Sequence, residues 1–263
     1  MHPVLTLPLL GVDVRAYTLF TVLGALAFAA VALPLLKRTG LGPLRALRLL
    51  IAMAAAFLAG ARLWNVAVNP GTYRGAMKWY SFRLTGFSLY GGVAGAALVL
   101  AVWARWSKTR LLPVLDAVTA PAAAAFALAR VGCFLTGCCG GVPTHAAWGV
   151  EFPAKSGAQE LMHSVLPGLG FAVKQHPTQL YELSLALLGL APALLIGRRF
   201  RDGSVFLIYC VWFSAFRLAI LPLRALPYSG VIQSAVYPAL YITLIVSGFA
   251  ALARVNRHRE VDS

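Results

Sequence analysis

Seven long apolar stretches, separated by more polar segments, constrain the fold of this chain more than any other feature: residues 16–36, 49–64, 87–104, 111–130, 178–197, 204–222 and 231–253. Crossing the hydrocarbon core of a bilayer, about 30 Å thick, takes around 20 helical residues. The chain is 60% hydrophobic and 12% charged, whereas soluble domains are roughly 45–50% apolar and about 25% charged. The sequence therefore predicts an all-α polytopic membrane protein with seven transmembrane helices.

The basic residues of this chain lie in short clusters between the apolar stretches. In a soluble domain the net charge of +15 would suggest nucleic-acid binding, but the sequence has no basic surface interleaved with stacking aromatics. The clusters follow alternate spans, as the positive-inside rule expects of cytoplasmic loops. They comprise Lys37, Arg38, Arg45 and Arg48, then Arg105, Lys108 and Arg110, then Arg198, Arg199 and Arg201, and finally Arg254, Arg257 and Arg259. We predict an extracytoplasmic N-terminus, a cytoplasmic C-terminus and no nucleic-acid partner.

The rest of the chain is interpreted as insertions into one integral membrane domain, residues 1–263. Residues 65–86 mix aromatic residues with cations, a composition typical of an interfacial arm. Residues 131–176 are polar enough for a head outside the membrane. With the predicted topology, both the arm and the head face outward.

Four arginines are predicted on or near the outer half of the spans: Arg62, Arg130, Arg217 and Arg224. An arginine within a span costs on the order of 2.5–3.5 kcal/mol on insertion scales and usually marks a function. Glu182 is the acid placed to pair with them. Several cations with few matching carboxylates indicate an anionic ligand, and a lipid phosphate is at hand. The alternative is snorkelling to lipid headgroups, above all for Arg224.

Residues 130–141 combine Arg130 with glycines that let the backbone approach a ligand closely. The same segment contains Cys133, Cys138 and Cys139. A disulfide is possible in an oxidising outer compartment, and small apolar packing is the alternative. Metal binding is a third possibility, but the chain has no second pair of ligands at a standard spacing. We predict neither a metal nor another cofactor.

Two further groups of residues could carry chemistry. The polar segment from His176 to Glu182 precedes the fifth span, where it either takes part in catalysis or forms a polar network that seats the helix. At the start of the third span, Tyr90 precedes Gly91 and Gly92. This tyrosine, like Tyr17 at the start of the first span, is either an interfacial aromatic residue or a catalytic one.

These motifs together resemble the prolipoprotein diacylglyceryl transferase family over most of the chain. The match runs through Tyr17, Gly60-Ala61-Arg62, Gly91-Gly92, Asp116, Pro121, the Arg130–Gly141 segment, Trp148-Gly149-Val150, Phe152-Pro153, the His176–Glu182 segment and Phe216-Arg217. Its most specific parts are Arg-Val-Gly-Cys-Phe-Leu-Thr-Gly-Cys-Cys from Arg130 and His-Pro-Thr-Gln-Leu-Tyr-Glu from His176.

The resemblance implies an enzyme of the bacterial inner membrane that acts in lipoprotein maturation. Such an enzyme moves the diacylglyceryl group of phosphatidylglycerol to the lipobox cysteine of a prolipoprotein, and glycerol phosphate leaves. Its implied partners are phosphatidylglycerol, the prolipoprotein signal peptide and other membrane lipids. The alternatives are a divergent paralogue with a different acceptor or headgroup, and a non-enzymatic lipid-binding or transport protein.

The resemblance also assigns site residues. Arg130 and Arg217 match the family's phosphate-contacting arginines, and Gly141 matches the glycine that follows the first of them. We predict catalytic roles for Arg130, Arg217, Tyr90 and Tyr17. The predicted substrate-binding residues are Arg130, Arg217, Arg62, Arg224, Gly91, Gly92, Gly141, His176 and Glu182.

The chain departs from the family pattern at two positions. The family has a histidine where this chain has Tyr90, and a glutamate where it has Leu221. A phenol is a weaker candidate for a general base near neutral pH than an imidazole. Either the arginines make the phenol more acidic, or another group is the base, or the chemistry differs. His176 and His145 are the other imidazoles considered, and neither is preferred.

Overall fold

A computed structural model describes residues 3–7, 12–70, 73, 80, 87–154, 156–166, 173–226 and 230–257. Within them, seven helical segments are long and apolar enough to cross a membrane: Ala16–Arg38, Pro43–Val68, Leu89–Ser107, Leu111–Thr136, Thr178–Gly197, Ser204–Leu223 and Ile232–Arg257. The predicted all-α polytopic class is confirmed.

The regular elements of the described residues are mostly helices. In chain order they are β1 (Val4–Leu7), β2 (Val12–Arg15), α1 (Ala16–Arg38), α2 (Pro43–Val68), α3 (Leu89–Ser107), α4 (Leu111–Thr136), β3 (Val150–Glu151), α5 (Gly157–Val165), β4 (Lys174–Gln175), α6 (Thr178–Leu188), α7 (Leu190–Gly197), α8 (Ser204–Ile220) and α9 (Tyr237–Arg257). A 3₁₀ turn, Leu221–Leu223, follows α8, and a π-helical turn, Ile232–Val236, precedes α9. The antiparallel β1–β2 hairpin was not predicted from the sequence.

Several helix boundaries differ from the prediction. The fourth span was predicted to end at Arg130, and the head to begin at Val131. The predicted end of the helix was wrong, because α4 continues to Thr136, and the extent of the head stays a prediction. The apolar residues after Arg130 extend the helix, and Gly137 ends it in the left-handed conformation, with φ of 69°. The second helix begins earlier than predicted, at Pro43, a residue suited to the first turn of a helix.

The chain divides into two compact units, of which one comprises Ala29–Val118. In this unit α2 packs against α3 through glycines. A Cβ added at Gly91 would overlap Gly60 O and Trp64 Cβ, and one added at Gly92 would lie 2.6 Å from the Phe57 ring. The contact therefore depends on small residues that let two backbones approach closely, as is common between membrane helices.

The other unit comprises Met1–Phe28 and Thr119–Ser263. The first part of α1 packs against α4 at glycines: a Cβ at Gly24 would lie 2.9 Å from Ala125 O, and one at Gly132 would lie 2.9 Å from Phe20 Cβ. Farther along the chain, Trp212 Nε1 of α8 donates a hydrogen bond to Leu185 O, at 2.9 Å. These contacts hold α4, α6 and α8, which carry the candidate site, within this unit.

The segment between α4 and α6 contains a small folded region. Strands β3 and β4 pair antiparallel, and the Ser156 hydroxyl caps α5 by accepting a hydrogen bond from Gln159 N at 3.3 Å. Gln159 also donates to Phe152 O at 3.3 Å. Most of the predicted arm, residues 65–86, lies outside the described residues.

Candidate active site

Three arginines from separate segments converge on one buried glutamate. Glu182 Oε2 lies 2.6 Å from Arg130 Nε. Its other oxygen, Oε1, contacts both Arg217 Nη1 and Arg224 Nη1, the latter at 3.0 Å. The Glu182 side chain is 2% exposed and the Arg217 side chain 4%, whereas those of Arg130 and Arg224 are 13% and 12% exposed. The predicted pairing of Glu182 with the arginines is present, and Arg224 points inward rather than snorkelling.

This ion cluster combines three positive charges with one negative charge. Because ionised groups are costly to bury without compensation, the cluster favours an anion that approaches from its surface side. Arg130 and Arg224, which retain some exposure, are on that side. Guanidinium groups are well suited to phosphate because they can donate two parallel hydrogen bonds to it.

Each charged side chain is held by its position in the fold. Arg130 lies one turn after Phe126 on α4, and its guanidinium stacks over that ring at 4.7 Å from the centroid. Glu182 lies in α6 and Arg217 near the end of α8. Arg224 follows the 3₁₀ turn that ends the α8 segment. The cluster therefore joins side chains from α4, α6 and α8 with one from the segment that follows α8.

Gly141 connects three separate segments by main-chain bonds. Its amide donates to His176 O at 2.9 Å, and the next amide, Val142 N, donates to Leu223 O at 3.0 Å. Gly141 and Arg224 form an isolated antiparallel bridge. A Cβ on Gly141 would overlap Leu223 O and come within 2.7 Å of His176 Cβ. A glycine is required here for close approach of the main chains, and that approach sets the position of Arg224.

The polar residues at the start of α6 bind the loop that follows α4. Thr178 Oγ1 donates to Cys139 O at 2.9 Å, and Gln179 Nε2 donates to Cys138 O. His176 Nδ1 lies 3.1 Å from the Tyr181 hydroxyl, which accepts a hydrogen bond from the exposed Trp148. These contacts agree with the alternative in which the segment is a polar network that seats the helix.

Three cysteine sulfurs meet beside the arginine–glutamate cluster. The Sγ atoms of Cys133, Cys138 and Cys139 all lie within 4.8 Å of one another. Arg130 Nη1 lies 4.0 Å from Cys133 Sγ. Hydrogen bonds from the other two thiols, with the Arg130 and Arg224 guanidiniums, lower the pKa of Cys139 well below its usual range. Hydrogen bonds to the other two thiols, with burial, raise the pKa of Cys138.

The end of α4 explains how two of these sulfurs come together. Gly137 N donates to Phe134 O at 3.1 Å, and Cys138 N donates to Cys133 O at 3.0 Å. This pair of bonds is the Schellman motif, in which the second residue beyond the helix contacts its last turn. The sequence signal that could have predicted this pair is Gly137 just after a helix, with Cys133 four residues before it and Cys138 directly after it.

Tyr17 lies at the start of α1, against the last turns of α4. Its amide donates to Thr136 Oγ1 at 3.1 Å, and its Cα would be 3.1 Å from a Cβ on Gly132. Its side chain is half-buried. Tyr17 is thus in the same unit as the three-cysteine cluster and the arginines that contact Glu182.

The remaining predicted site residues belong to the unit Ala29–Val118. Arg62 is buried, with its guanidinium 4.2 Å from the centroid of the Phe87 ring and Nη1 3.4 Å from the Tyr73 hydroxyl. Gly91 and Gly92 are buried against α2. Gly91 and Gly92 therefore have a packing role. Contact with substrate stays a prediction for these glycines, for Arg62 and for Tyr90.

Comparison with known proteins gives a family model that covers most of the chain. The model for prolipoprotein diacylglyceryl transferase matches residues 4–254. The chain belongs to the prolipoprotein diacylglyceryl transferase family. This confirms the family and the transferase class predicted from the sequence.

Curated relatives in the transferase family are 27–30% identical to this chain over the aligned residues. All three described here are called phosphatidylglycerol–prolipoprotein diacylglyceryl transferase. One from Leifsonia xyli is 27% identical over 84% of this chain and 68% of its own length. One from Dehalococcoides mccartyi is 30% identical over 67% of this chain and 65% of its own length. One from Clostridioides difficile is 27% identical over 82% of this chain and 81% of its own length.

Proposed function

We propose that this protein transfers the diacylglyceryl group of phosphatidylglycerol to the lipobox cysteine thiol of prolipoproteins, releasing glycerol phosphate. The observation that carries the proposal is the convergence of Arg130, Arg217 and Arg224 on Glu182 within a family of such transferases. The donor is an anionic lipid, and the cluster has an excess of positive charge. The reaction also increases the negative charge on the departing phosphate.

In this mechanism the arginines act as electrostatic stabilisers. The acceptor attacks the glyceryl carbon as a thiolate, after the thiol has lost its proton. The bond from that carbon to the phosphate oxygen breaks, and the electron pair leaves with glycerol phosphate. Guanidiniums fixed before the reaction stabilise the developing charge without reorganising. Arg130 and Arg217 take this role, and the partly exposed Arg224 helps to bind the phosphate as it arrives.

Glu182 acts as a positioning residue. It contacts all three guanidiniums and is almost inaccessible, so an incoming anion meets the arginines and not the carboxylate. Its negative charge keeps three like charges together in the absence of lipid. The phosphate then completes the charge balance of the cluster.

The site is proposed to open toward the extracytoplasmic side of a bacterial inner membrane, where prolipoprotein signal peptides emerge. That placement follows from the clustering of cations after alternate spans. It puts the head, the arm and the N-terminus outside, and the C-terminus in the cytoplasm. Tyr17, Gly141 and His176, which belong to the same compact unit as the arginine cluster, are proposed to line or support the same site.

The direct test is release of glycerol phosphate from phosphatidylglycerol by the purified full-length protein. Release should depend on a lipobox peptide and be absent with the peptide in which the cysteine is replaced by serine. If no lipobox peptide gives release while phosphatidylglycerol still binds, the protein is a lipid-binding member of the family and the proposal is wrong.

The arginine contribution is tested by Arg130→Ala and Arg217→Ala. Each should lower kcat at least about 10²–10³-fold, the range for loss of one preorganised charge stabiliser. Arg105→Ala, which removes an exposed cation at the end of α3, is the matched control and should leave the rate unchanged. Unchanged turnover in either site variant would place the phosphate elsewhere.

A further inference from the structure

Three thiols pointing at one another are an unusual use of cysteine in a membrane protein. The Sγ atoms of Cys133, Cys138 and Cys139 lie within 4.8 Å of one another, and Arg130 Nη1 lies 4.0 Å from Cys133 Sγ. Small apolar packing requires neither this convergence of sulfurs nor a guanidinium beside them. The cluster therefore needs another explanation.

The backbone at Cys139 supplies a second, independent observation. Cys139 has φ of 60°, in the left-handed region that a residue with a Cβ seldom adopts. Such strain persists only where the surroundings over-determine it, and it is concentrated at functional sites. Here Thr178 and Gln179 hold the carbonyls of Cys139 and Cys138, so the strained turn is fixed from a separate helix.

We propose that Cys133, Cys138 and Cys139 form a three-thiolate site for a soft divalent metal ion such as Zn²⁺, whose fourth position takes the acceptor thiol. Tetrahedral Zn²⁺ with bonds of about 2.3 Å to sulfur places the sulfurs about 3.8 Å apart. The described sulfurs would have to close by at most about 1 Å, which small side-chain rotations provide. Three protein ligands with one open position are the arrangement of catalytic zinc sites.

The site lies where such an ion would serve the proposed transfer, on which this inference rests. Arg130 Nη1 lies 4.0 Å from Cys133 Sγ, and Arg130 Nε lies 2.6 Å from Glu182 Oε2. One side chain therefore joins the sulfur cluster to the phosphate-binding cluster. A thiol at the fourth position would be next to a phosphate held by the arginines.

Metal binding would activate the acceptor thiol in a chain that has Tyr90 where the family has histidine. A thiol bound to a divalent ion gives up its proton to solvent. The metal-bound sulfur uses an electron pair to form the bond to the glyceryl carbon, and the carbon–oxygen bond breaks toward the phosphate. The metal remains divalent throughout, and the thioether product is a weaker ligand than the thiolate, which favours its release.

The site can be tested by metal binding without any turnover. Full-length protein in detergent, under reducing conditions, is titrated with Co²⁺ and followed by its sulfur-to-cobalt charge-transfer band and its visible d–d bands. The wild type should bind one equivalent with the spectrum of a tetrahedral sulfur-rich site. Cys139→Ser, which replaces the thiol by a hydroxyl of similar size, should weaken binding by more than about 100-fold, since even loss of a residue that only hydrogen-bonds to a metal ligand costs about 10–100-fold.

The matched control is Cys210→Ser, which removes the half-buried thiol of α8 and should bind Co²⁺ like the wild type. Adding a lipobox peptide to the cobalt-loaded protein should change the d–d bands, while its cysteine-to-serine version should not. A spectrum without thiolate bands, or equal affinity in Cys139→Ser, overturns the site. So does a disulfide among the three cysteines in protein that has bound no metal.

The outcome for the metal and the outcome for the transferase can be told apart. If the protein binds Co²⁺ through the three thiols but releases no glycerol phosphate, the metal site stands and the proposed function is wrong. If the protein transfers at full rate after chelation, and the Cys139→Ser variant does so too, the proposed function stands and the metal site is wrong. If both are right, chelation should lower the rate at least about tenfold and Zn²⁺ should restore it.

Discussion

Replacing Glu182 by glutamine tests whether one carboxylate holds the three arginines together. The substitution keeps the shape of the side chain and removes its charge. At an effective dielectric of about 20, one pair of unit charges at the Arg224–Glu182 separation of 3.0 Å is worth about 5.5 kcal/mol before desolvation. Removing one partner of a buried pair usually costs 3–5 kcal/mol. With three guanidiniums on this carboxylate, we expect the upper part of that range.

The measurement is the free energy of unfolding in mixed micelles, for Glu182→Gln and for Glu151→Gln, which changes an exposed glutamate on β3. A loss of about 4–5 kcal/mol lowers the folding equilibrium constant roughly 10³-fold, whereas the control should change by less than about 0.5 kcal/mol. Phosphatidylglycerol should raise the Tm of Glu182→Gln more than that of the wild type, because its phosphate replaces the missing charge. A loss below about 1 kcal/mol, or no extra response to the lipid, would refute the view that Glu182 organises the site.

Two other substitutions test separate parts of the argument. Gly141→Ala should destabilise the protein by about 1–3 kcal/mol, since its Cβ would overlap Leu223 O. Gly157→Ala is the control, because its Cβ would meet only ordinary contacts from 3.7 Å outward, and it should leave stability unchanged in a thermal unfolding assay. An equal loss of stability in both variants would contradict the need for close approach at Gly141. Tyr90→Phe should retain transfer within about tenfold if the metal activates the acceptor thiol. A 10²–10⁴-fold loss of kcat, the range for general acid–base catalysis, would instead make Tyr90 the base.

Part of the site was visible in the sequence because it depends on local composition. An arginine within an apolar stretch is costly wherever the helix is placed, so Arg130 and Arg217 stood out without any fold. Glu182 stood out in the same way, as an acid close to several cations. Gly141 was found only through its place in the family motif, since a glycine alone does not reveal which backbone approaches it.

Other features could not be read from single stretches of sequence. Arg224 was as compatible with snorkelling as with a site, and only its contact with Glu182 decides the matter. Gly91 and Gly92 were predicted to bind substrate, which stays a prediction, and their packing against α2 appears only in the structure. Cys139 lies beside Cys133 and Cys138 in a turn where its own backbone is in the left-handed region, a conformation that the sequence does not reveal.

The sequence by itself determined that this chain has seven membrane-crossing helices with arginines in or near them, because the transfer of a helix into lipid depends on the composition of each stretch separately. The tertiary structure decided which arginines share Glu182, which main chains meet at Gly141 and which sulfurs face one another. Those outcomes depend on contacts between residues far apart in the chain. Arg130, Glu182, Arg217 and Arg224 lie on different segments, and only packing brings their charges together.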